Sequence, residues 1–133
     1  MLSVHALDHI VLNVSDVQVS ANWYERVLGM TRSEILAPSG ETRVSMMFGV
    51  QKMNLRPIAI TQETWFTGRA PCPGSDDLCF LTDTAPDDVT KHLIHCEVAI
   101  ELGPVAKSGA LGPIRSVYVR DPDGNLVEIS SYA

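Results

Sequence analysis

The chain has 133 residues, of which 45% are hydrophobic and 20% charged, a balance typical of one globular domain and not of a disordered or fibrous chain. Its formal net charge is −6 and its Lys and Arg residues are scattered, which argues against nucleic acid and against an anionic membrane surface as partners. The apolar runs are too short for a membrane span or a signal peptide. We therefore expect a cytoplasmic protein whose partners are small molecules or a second copy of itself.

The first half of the chain predicts one strand, one helix and three further strands. In residues 7–14 apolar side chains alternate with others, which places His9 on the polar side of the first strand. Asp16 is a candidate N-cap of the following helix, and Gly29 ends it. Short strands then follow at 30–36, 43–48 and 52–56.

The second half repeats this βαβββ order. Residues 59–75 are rich in Pro and Gly and predict a linker between the halves. A strand at 77–83 precedes a helix that begins near Pro86, and three strands follow at 98–102, 114–120 and 126–130. The glycine-rich stretch 103–113 predicts a mobile loop. We thus expect one domain, 1–133, with modules at about 4–58 and 76–133.

The last strand carries the most informative residue of the chain. The turn Asp121-Pro-Asp-Gly124 has the residues that a tight turn requires, and it directs the strand that follows. Glu128 then points away from its two apolar neighbours. Aligning the halves pairs His9 with Asp77 and Asn54 with Glu128, so the repeat predicts that these four side chains converge.

Three cysteines lack the paired spacing of a metal site or a disulfide framework, and their odd number is typical of a reduced compartment. Cys79 and Cys96 lie among apolar residues, so we expect small core side chains there. Cys72 lies between two prolines and is expected in a loop.

Several motifs together resemble the vicinal oxygen chelate superfamily, which includes glyoxalase I, fosfomycin-resistance thiol transferases, extradiol dioxygenases and bleomycin-binding proteins. The resemblance extends over nearly the whole chain. Segments 54–55, 73–79 and 103–114 are more narrowly similar to glyoxalase-domain proteins of a virulence-associated group. The motifs that carry the wider resemblance are Leu7-Asp-His9-Ile-Val, Trp23-Tyr24, Val27-Leu-Gly-Met30 and Asp121-Pro-Asp-Gly-Asn-Leu-Val-Glu128.

The resemblance implies an α+β fold in which two βαβββ modules form a cupped mixed sheet around a divalent metal. The ligands would be His9, Asn54, Asp77 and Glu128. Glyoxalase I has His or Gln, Glu, His and Glu at these places, so this chain departs from it at Asn54 and Asp77. Such a mixed nitrogen and oxygen set suits Zn²⁺, Ni²⁺, Mn²⁺ or Fe²⁺.

By the same resemblance, the reaction would be a glyoxalase-type isomerisation of a small carbonyl compound or its thiol adduct, which makes a thiol a candidate cosubstrate. Glu128 would be the base while the metal stabilises an enediolate. Tyr118 either donates a hydrogen bond to the oxyanion or is a core residue.

Four more residues are candidates for substrate binding, each with a simpler alternative. Arg56 either clamps an anionic group or is a surface residue. Met46 and Phe48 either line the cup or pack in the core. Lys107 lies in the predicted mobile loop, which either covers a ligand or is an ordinary loop.

Two other functions stay open at this point. The chain could be a metal-free protein that sequesters a small molecule, as bleomycin-binding relatives do. It could also be an extradiol dioxygenase, although only one His stands at the matching positions. The length is similar to that of family members that form homodimers, in which the site is built within one chain or between two.

Overall fold

The structure is a computed structural model that describes residues 1–132. It consists of two compact units that meet in sequence at Pro73 and Gly74. Each unit has one helix and a mixed four-stranded sheet, which confirms the predicted α+β class and the two βαβββ modules. No helix within residues 1–132 has the length and apolarity to cross a membrane.

The sheet of the first unit has only one parallel pair of neighbouring strands. The strand order is β1-β4-β3-β2, with β1 parallel to β4 and the other pairs antiparallel. The helix begins after Asp16, whose carboxylate accepts two backbone N–H groups, and ends at Gly29 with φ 67°. Both helix ends are as predicted. The elements are β1 (His9–Val14), α1 (Val17–Leu28), β2 (Thr31–Leu36), β3 (Thr42–Phe48) and β4 (Gln51–Pro57).

One face of this sheet packs on α1 and forms the core of the unit. Arg32 of β2 belongs to the same face and hydrogen-bonds Gln18, Asn22 and Glu25 of α1. We call the opposite side of each sheet its open face. The fully buried apolar residues of the first unit's core are Leu12, Val14, Ala21, Tyr24, Met46, Met53 and Leu55.

The strand register places Met46 and Phe48 on the helix side of the sheet, which favours core packing over the predicted ligand site at Met46. Met46 pairs with Met53, and its side chain is 0% exposed on the helix side of the sheet. Phe48 lies two residues further along the same face. Because successive strand residues alternate, it is Met47 that lies on the open face beside Lys52.

The second unit repeats the arrangement, with strand order β5-β8-β7-β6 and β5 parallel to β8. Its helix opens with Pro86 and has Asp87 in the first turn, as the sequence predicts. Val89 and Leu93 of this helix are buried with Val117, Val119 and Val127 of the sheet. The elements are β5 (Asp77–Leu81), α2 (Pro86–His95), β6 (Leu102–Gly109), β7 (Gly112–Arg120) and β8 (Leu126–Tyr132).

The sequence-based position of β6 was wrong. A strand was expected at 98–102 and a mobile loop at 103–113, yet the strand begins at Leu102 and most of the loop is a hairpin. β6 is the edge strand, where Pro104 is tolerated because no neighbour needs its missing N–H. The register shifts between Leu102 and Val105. Lys107 therefore lies in a strand and not in a loop over a ligand.

Candidate functional site

The strand registers confirm the predicted internal repeat. The first residue of β1, His9, pairs with the β4 residue two positions before Asn54. The first residue of β5, Asp77, pairs with the β8 residue two positions before Glu128. His9 and Asp77 are thus equivalent, as are Asn54 and Glu128, and each pair of donors lies on the open face of its own unit.

Glu128 is held by two buried serines on the neighbouring positions of β7 and β8. Ser116 Oγ donates to Glu128 Oε2 over 2.5 Å, and Ser130 Oγ lies 3.2 Å from the same oxygen. The two serine oxygens are 2.7 Å apart. Ser116 and Ser130 are 0% and 1% exposed, whereas Glu128 is half-buried. Sequence analysis missed both serines, since only the β7–β8 register brings them to Glu128.

Cys79 extends this cluster and was wrongly expected in the core. It pairs with Glu128 across the β5–β8 ladder and its side chain is exposed. Its Sγ donates to Ser130 Oγ over 3.3 Å. Although the residue is exposed, partial burial of its thiol raises the pKa of Cys79; the hydrogen bond with Ser130 acts against this shift and the Glu128 carboxylate adds to it, so the thiol stays protonated at neutral pH. Its alternation with Asp77 was the sequence signal that could have placed it correctly.

Tyr118 lies on the other side of Glu128 in the ladder. Burial, followed by its hydrogen bond to Glu128, raises the pKa of Tyr118 to about 12. Lys107 Nζ lies 5.7 Å from the centre of the Tyr118 ring. Tyr118 is therefore a neutral phenol beside a carboxylate at physiological pH, and its hydroxyl is a donor.

The turn before β8 braces the beginning of β5. Asp121 accepts the backbone N–H groups of Asp123 and Asn125 and the side-chain amide of Asn125. Asn125 Oδ1 in turn accepts the N–H of Asp76 over 2.9 Å. Burial, and then the charge of Asp121, raises the pKa of Asp76. This network fixes Asp77 in register with the strand that carries Glu128.

In the first unit the corresponding amide is already engaged. Asn54 Oδ1 accepts the hydroxyl of Ser45, its β3 neighbour, over 2.7 Å. His9 is exposed, and its Nδ1 lies 2.8 Å from Asp8 Oδ2. A carboxylate at Nδ1 leaves Nε2 able to coordinate, the arrangement common in metal-binding histidines.

Arg56 is a structural residue of the first unit. Its side chain is only 1% exposed, so the alternative of a surface Arg is wrong. Its guanidinium donates to Asn13 Oδ1 and to the backbone oxygens of Ile60 and Trp65, over 2.7 to 2.9 Å. These three contacts commit the guanidinium of Arg56 to the fold, and its use as an anion clamp stays a prediction.

The segment that Arg56 holds belongs to the predicted linker. Trp65 is buried against the first unit, and the guanidinium of Arg43 stacks 4.3 Å from its ring centre. Arg43 also donates to the backbone oxygen of Thr64. Residues 58–66 therefore fold onto the open face of the first sheet instead of running free between the units.

The four candidate ligands have the chemistry that a divalent cation requires. They offer an imidazole nitrogen, an amide oxygen and two carboxylates. Within the described part of the chain, however, no three His, Cys, Asp or Glu side chains are grouped so as to hold a metal ion. Each unit brings one pair of donors to its open face, and a metal centre built from both pairs stays a prediction.

Comparison with known proteins gives the family. A family model described as the Glyoxalase/Bleomycin resistance protein/Dioxygenase superfamily matches residues 6–129. The chain belongs to this superfamily, as its motifs and its two βαβββ modules indicate.

Three relatives are close over nearly the whole chain. Virulence protein STM3117 of Salmonella typhimurium is 43% identical over 131 residues, which cover 97% of this chain and 85% of the relative. Its crystal structure matches with a TM-score of 0.86 over 99% of this chain and 100% of the other, at 42% identity. Glyoxalase domain-containing protein RDO1 of Mycosarcoma maydis is 42% identical over 98% of this chain and 70% of its own length. An integron cassette protein of V. cholerae, VCH_CASS1, has a TM-score of 0.91 and 42% identity, covering 100% of this chain and 99% of the other.

Proposed function

We propose that the chain is a lyase or isomerase of the glyoxalase type, acting on a small carbonyl compound or its thiol adduct. The observation that carries this proposal is the setting of Glu128. It is a half-buried carboxylate on the open face of the sheet, hydrogen-bonded to two buried serines on the same face and flanked by a neutral phenol. A glutamate whose carboxylate was simply hydrated at the surface would not need hydrogen bonds from two buried hydroxyl groups.

The residues of this cluster suit a proton transfer within the substrate. Glu128 takes a proton from the hydroxyl-bearing carbon beside the carbonyl group and returns it to the former carbonyl carbon, while the hydroxyl proton passes to the former carbonyl oxygen. The reaction is therefore an isomerisation without an oxidant. Tyr118 keeps its proton because its pKa is raised to about 12. When substrate binds, this single O–H would turn from Glu128 to the substrate oxygen on which negative charge develops.

A divalent ion held by His9, Asn54, Asp77 and Glu128 would supply the positive charge that polarises the carbonyl group. Because each unit contributes one donor pair, the site requires that two open faces meet, within one chain or between two copies. We also propose a homodimer, because the length of the chain resembles that of family members that form dimers. The substrate would then bind with its polarised carbonyl group beside Glu128.

The test is the metal content of untagged protein prepared without chelators, measured by elemental mass spectrometry. We expect a stoichiometric divalent ion in the wild type and in the controls Glu34→Gln and His5→Ala, which alter exposed residues of the same types. Glu128→Gln and His9→Ala should lose the ion and the turnover of α-oxoaldehydes, assayed with and without a small thiol. Unchanged metal content in both variants, or no binding after incubation with each candidate ion, would contradict the proposal.

A metal-free binding protein is the second candidate. One observation favours it: the oxygen of Asn54 already accepts the Ser45 hydroxyl, which makes this amide a weak metal ligand. A protein of this kind would bind its ligand equally well after His9→Ala. Extradiol cleavage ranks below both, since His9 is the single imidazole among the four positions.

A further inference from the structure

Residues 1–8, which we call the N-terminal arm, precede β1 and lie outside every helix and strand. All eight are exposed, and they include the large apolar side chains Leu2, Val4 and Leu7, which are 88%, 83% and 62% exposed. One exposed apolar side chain is ordinary on a protein surface, but several within one short segment are typical of a contact surface. The arm is therefore a candidate for burial against another chain.

The arm has the sequence pattern of a β-strand but no partner strand. In Leu2-Ser-Val-His-Ala6 apolar and polar side chains alternate, as in a strand with one covered face. Within the described chain, however, residues 1–7 belong to no β-ladder and make no backbone–backbone hydrogen bond. Their one described hydrogen bond is that of the Gln51 side-chain amide to the Leu7 carbonyl oxygen. The backbone of the arm is thus open to pairing with a strand.

The first sheet cannot supply this strand, because the neighbour of β1 begins too late in the chain. His9, the first residue of β1, pairs in parallel with Lys52 of β4. β4 starts only one residue earlier, at Gln51, after the turn at 49–50 that follows β3. On its other side β1 is the edge of the sheet. Residues 1–7 therefore extend beyond the sheet, and a partner strand for them has to come from elsewhere.

We propose that the N-terminal arm is an interaction surface for a second copy of this chain, with the arms of two copies exchanged about a two-fold axis so that each pairs along a strand edge of the other. Residues 1–7 contain no Asp, Glu, Lys or Arg. The arm thus offers apolar contacts and backbone hydrogen bonds without a charge pattern that would select a different protein. This inference goes beyond the proposed function, since it holds for an enzyme and for a binding protein alike.

The surface area of the arm also favours a reciprocal exchange. Burial removes about 60–120 Å² of apolar surface for a side chain such as Leu or Val. Leu2, Val4 and Leu7, with the surface that they would cover, therefore account for about 500 Å² per arm. A one-way contact of this size is no larger than a weak lattice contact, whereas two exchanged arms reach about 1,000 Å², the lower limit of a specific interface. Because the arm leads into His9, the exchange would bring the second copy to the end of the first sheet that carries this candidate ligand.

The first test is sedimentation equilibrium of the full chain, comparing the wild type with the double variant Leu2→Asp/Val4→Asp and with Val4→Pro, which removes an N–H donor without adding charge. The controls are Leu111→Asp and Ile94→Asp, which place the same charge at exposed apolar residues of the β6–β7 turn and of α2. We expect a wild-type dimer whose dissociation constant rises at least about 30-fold in the double variant, the effect of central interface residues. It should also rise in Val4→Pro and change less than about threefold in the controls. A control that dissociates as strongly as the double variant would overturn the proposal.

Hydrogen exchange of the amides of residues 3–7 shows directly whether the arm is paired. Their protection should increase with protein concentration and disappear in the double variant, with circular dichroism showing that each variant remains folded. Protection that does not depend on concentration would mean that the arm pairs within its own chain. A dimer with unprotected arms would place the interface elsewhere, and a monomer at every concentration would leave the arm to a different partner. Each of these three results would overturn the proposal, and none depends on whether the protein binds a metal or turns over a substrate.

Discussion

The open faces of the two units differ at positions that the repeat makes equivalent. Next to Glu128, the second unit has Ser116 and Ser130. At the same places beside Asn54, the first unit has Arg43 and Arg56. The arginines hold residues 58–66 against the first sheet, whereas the serines hold a carboxylate.

The same strand arrangement thus carries two different sets of side-chain contacts. The backbone positions are the same, but long cationic side chains hold a covering segment on the first face, and small hydroxyl side chains hold a half-buried carboxylate on the second. On the first open face, the end that carries Arg43 and Arg56 thus contributes to stability, while His9 and Asn54 are its candidate ligands. The second contributes the candidate base and its neutral neighbour Tyr118.

We expect the largest effect on stability from a substitution of Arg56. Arg56→Ala removes three hydrogen bonds, two buried and one part-buried, and takes the Arg56 donors away from Asn13 and two backbone oxygens. We expect the free energy of unfolding to fall by about 3 kcal/mol or more, measured by chemical denaturation. Ser130→Ala, at the equivalent position, should cost only about 1 kcal/mol. Similar losses at both positions would mean that the first unit does not depend on its arginine in this way.

A second prediction concerns the coupling of Tyr118 to Glu128. Glu128→Gln should lower the pKa of Tyr118, since the carboxylate disfavours the phenolate, but leave it above the ordinary value of 10.0, because burial is the largest cause. Alkaline absorbance titration, with Tyr118→Phe to identify the phenol, measures this.

The same shift predicts how stability depends on pH. The native state keeps the Tyr118 proton up to about pH 12, while an unfolded chain loses it near 10.0. Its stabilising contribution is complete below pH 10 and is lost as the pH rises through 12. Tyr118→Phe should therefore decline less than the wild type across that interval. Parallel declines would show that Tyr118 has no such role.

The smallest expected effect distinguishes the two stacked cations. Lys107→Ala should change stability by about 0.5 kcal/mol, since its contact with the Tyr118 ring is long and lies at an edge strand. Arg43→Ala should cost more, because Arg43 stacks more closely on a buried Trp65 and also holds Thr64. Thermal unfolding of both variants tests this order.

The sequence was sufficient for features that depend on neighbouring residues. Asp16 and Gly29 marked the helix ends, and alternation placed His9 and Glu128 on the polar side of their strands. These signals depend on local backbone geometry, which a single segment contains.

It was insufficient where partners are distant in sequence. Ser116 and Ser130 carry no chemical signal until two strands pair, and the burial of Arg56 depends on Asn13 and on a segment that reads as a linker. The prediction for Cys79 rested on its apolar neighbours. The alternation of strand residues, which puts Cys79 on the same face as Asp77, was the better guide. In β6, Gly and Pro indicated a loop. The prediction failed because an edge strand tolerates both residues.

The brace formed by Asp121 and Asn125 has a consequence for how chain length can vary among related sequences. Because it ties the turn to Asp76 at the beginning of β5, one inserted or deleted residue there would slip β8 by a single position. The strand would remain well formed, yet Val127 or Ile129 would take the place of Glu128. The spacing from Asp121 to Glu128 is therefore expected to be constant in every related chain that keeps a carboxylate at this place in the sheet.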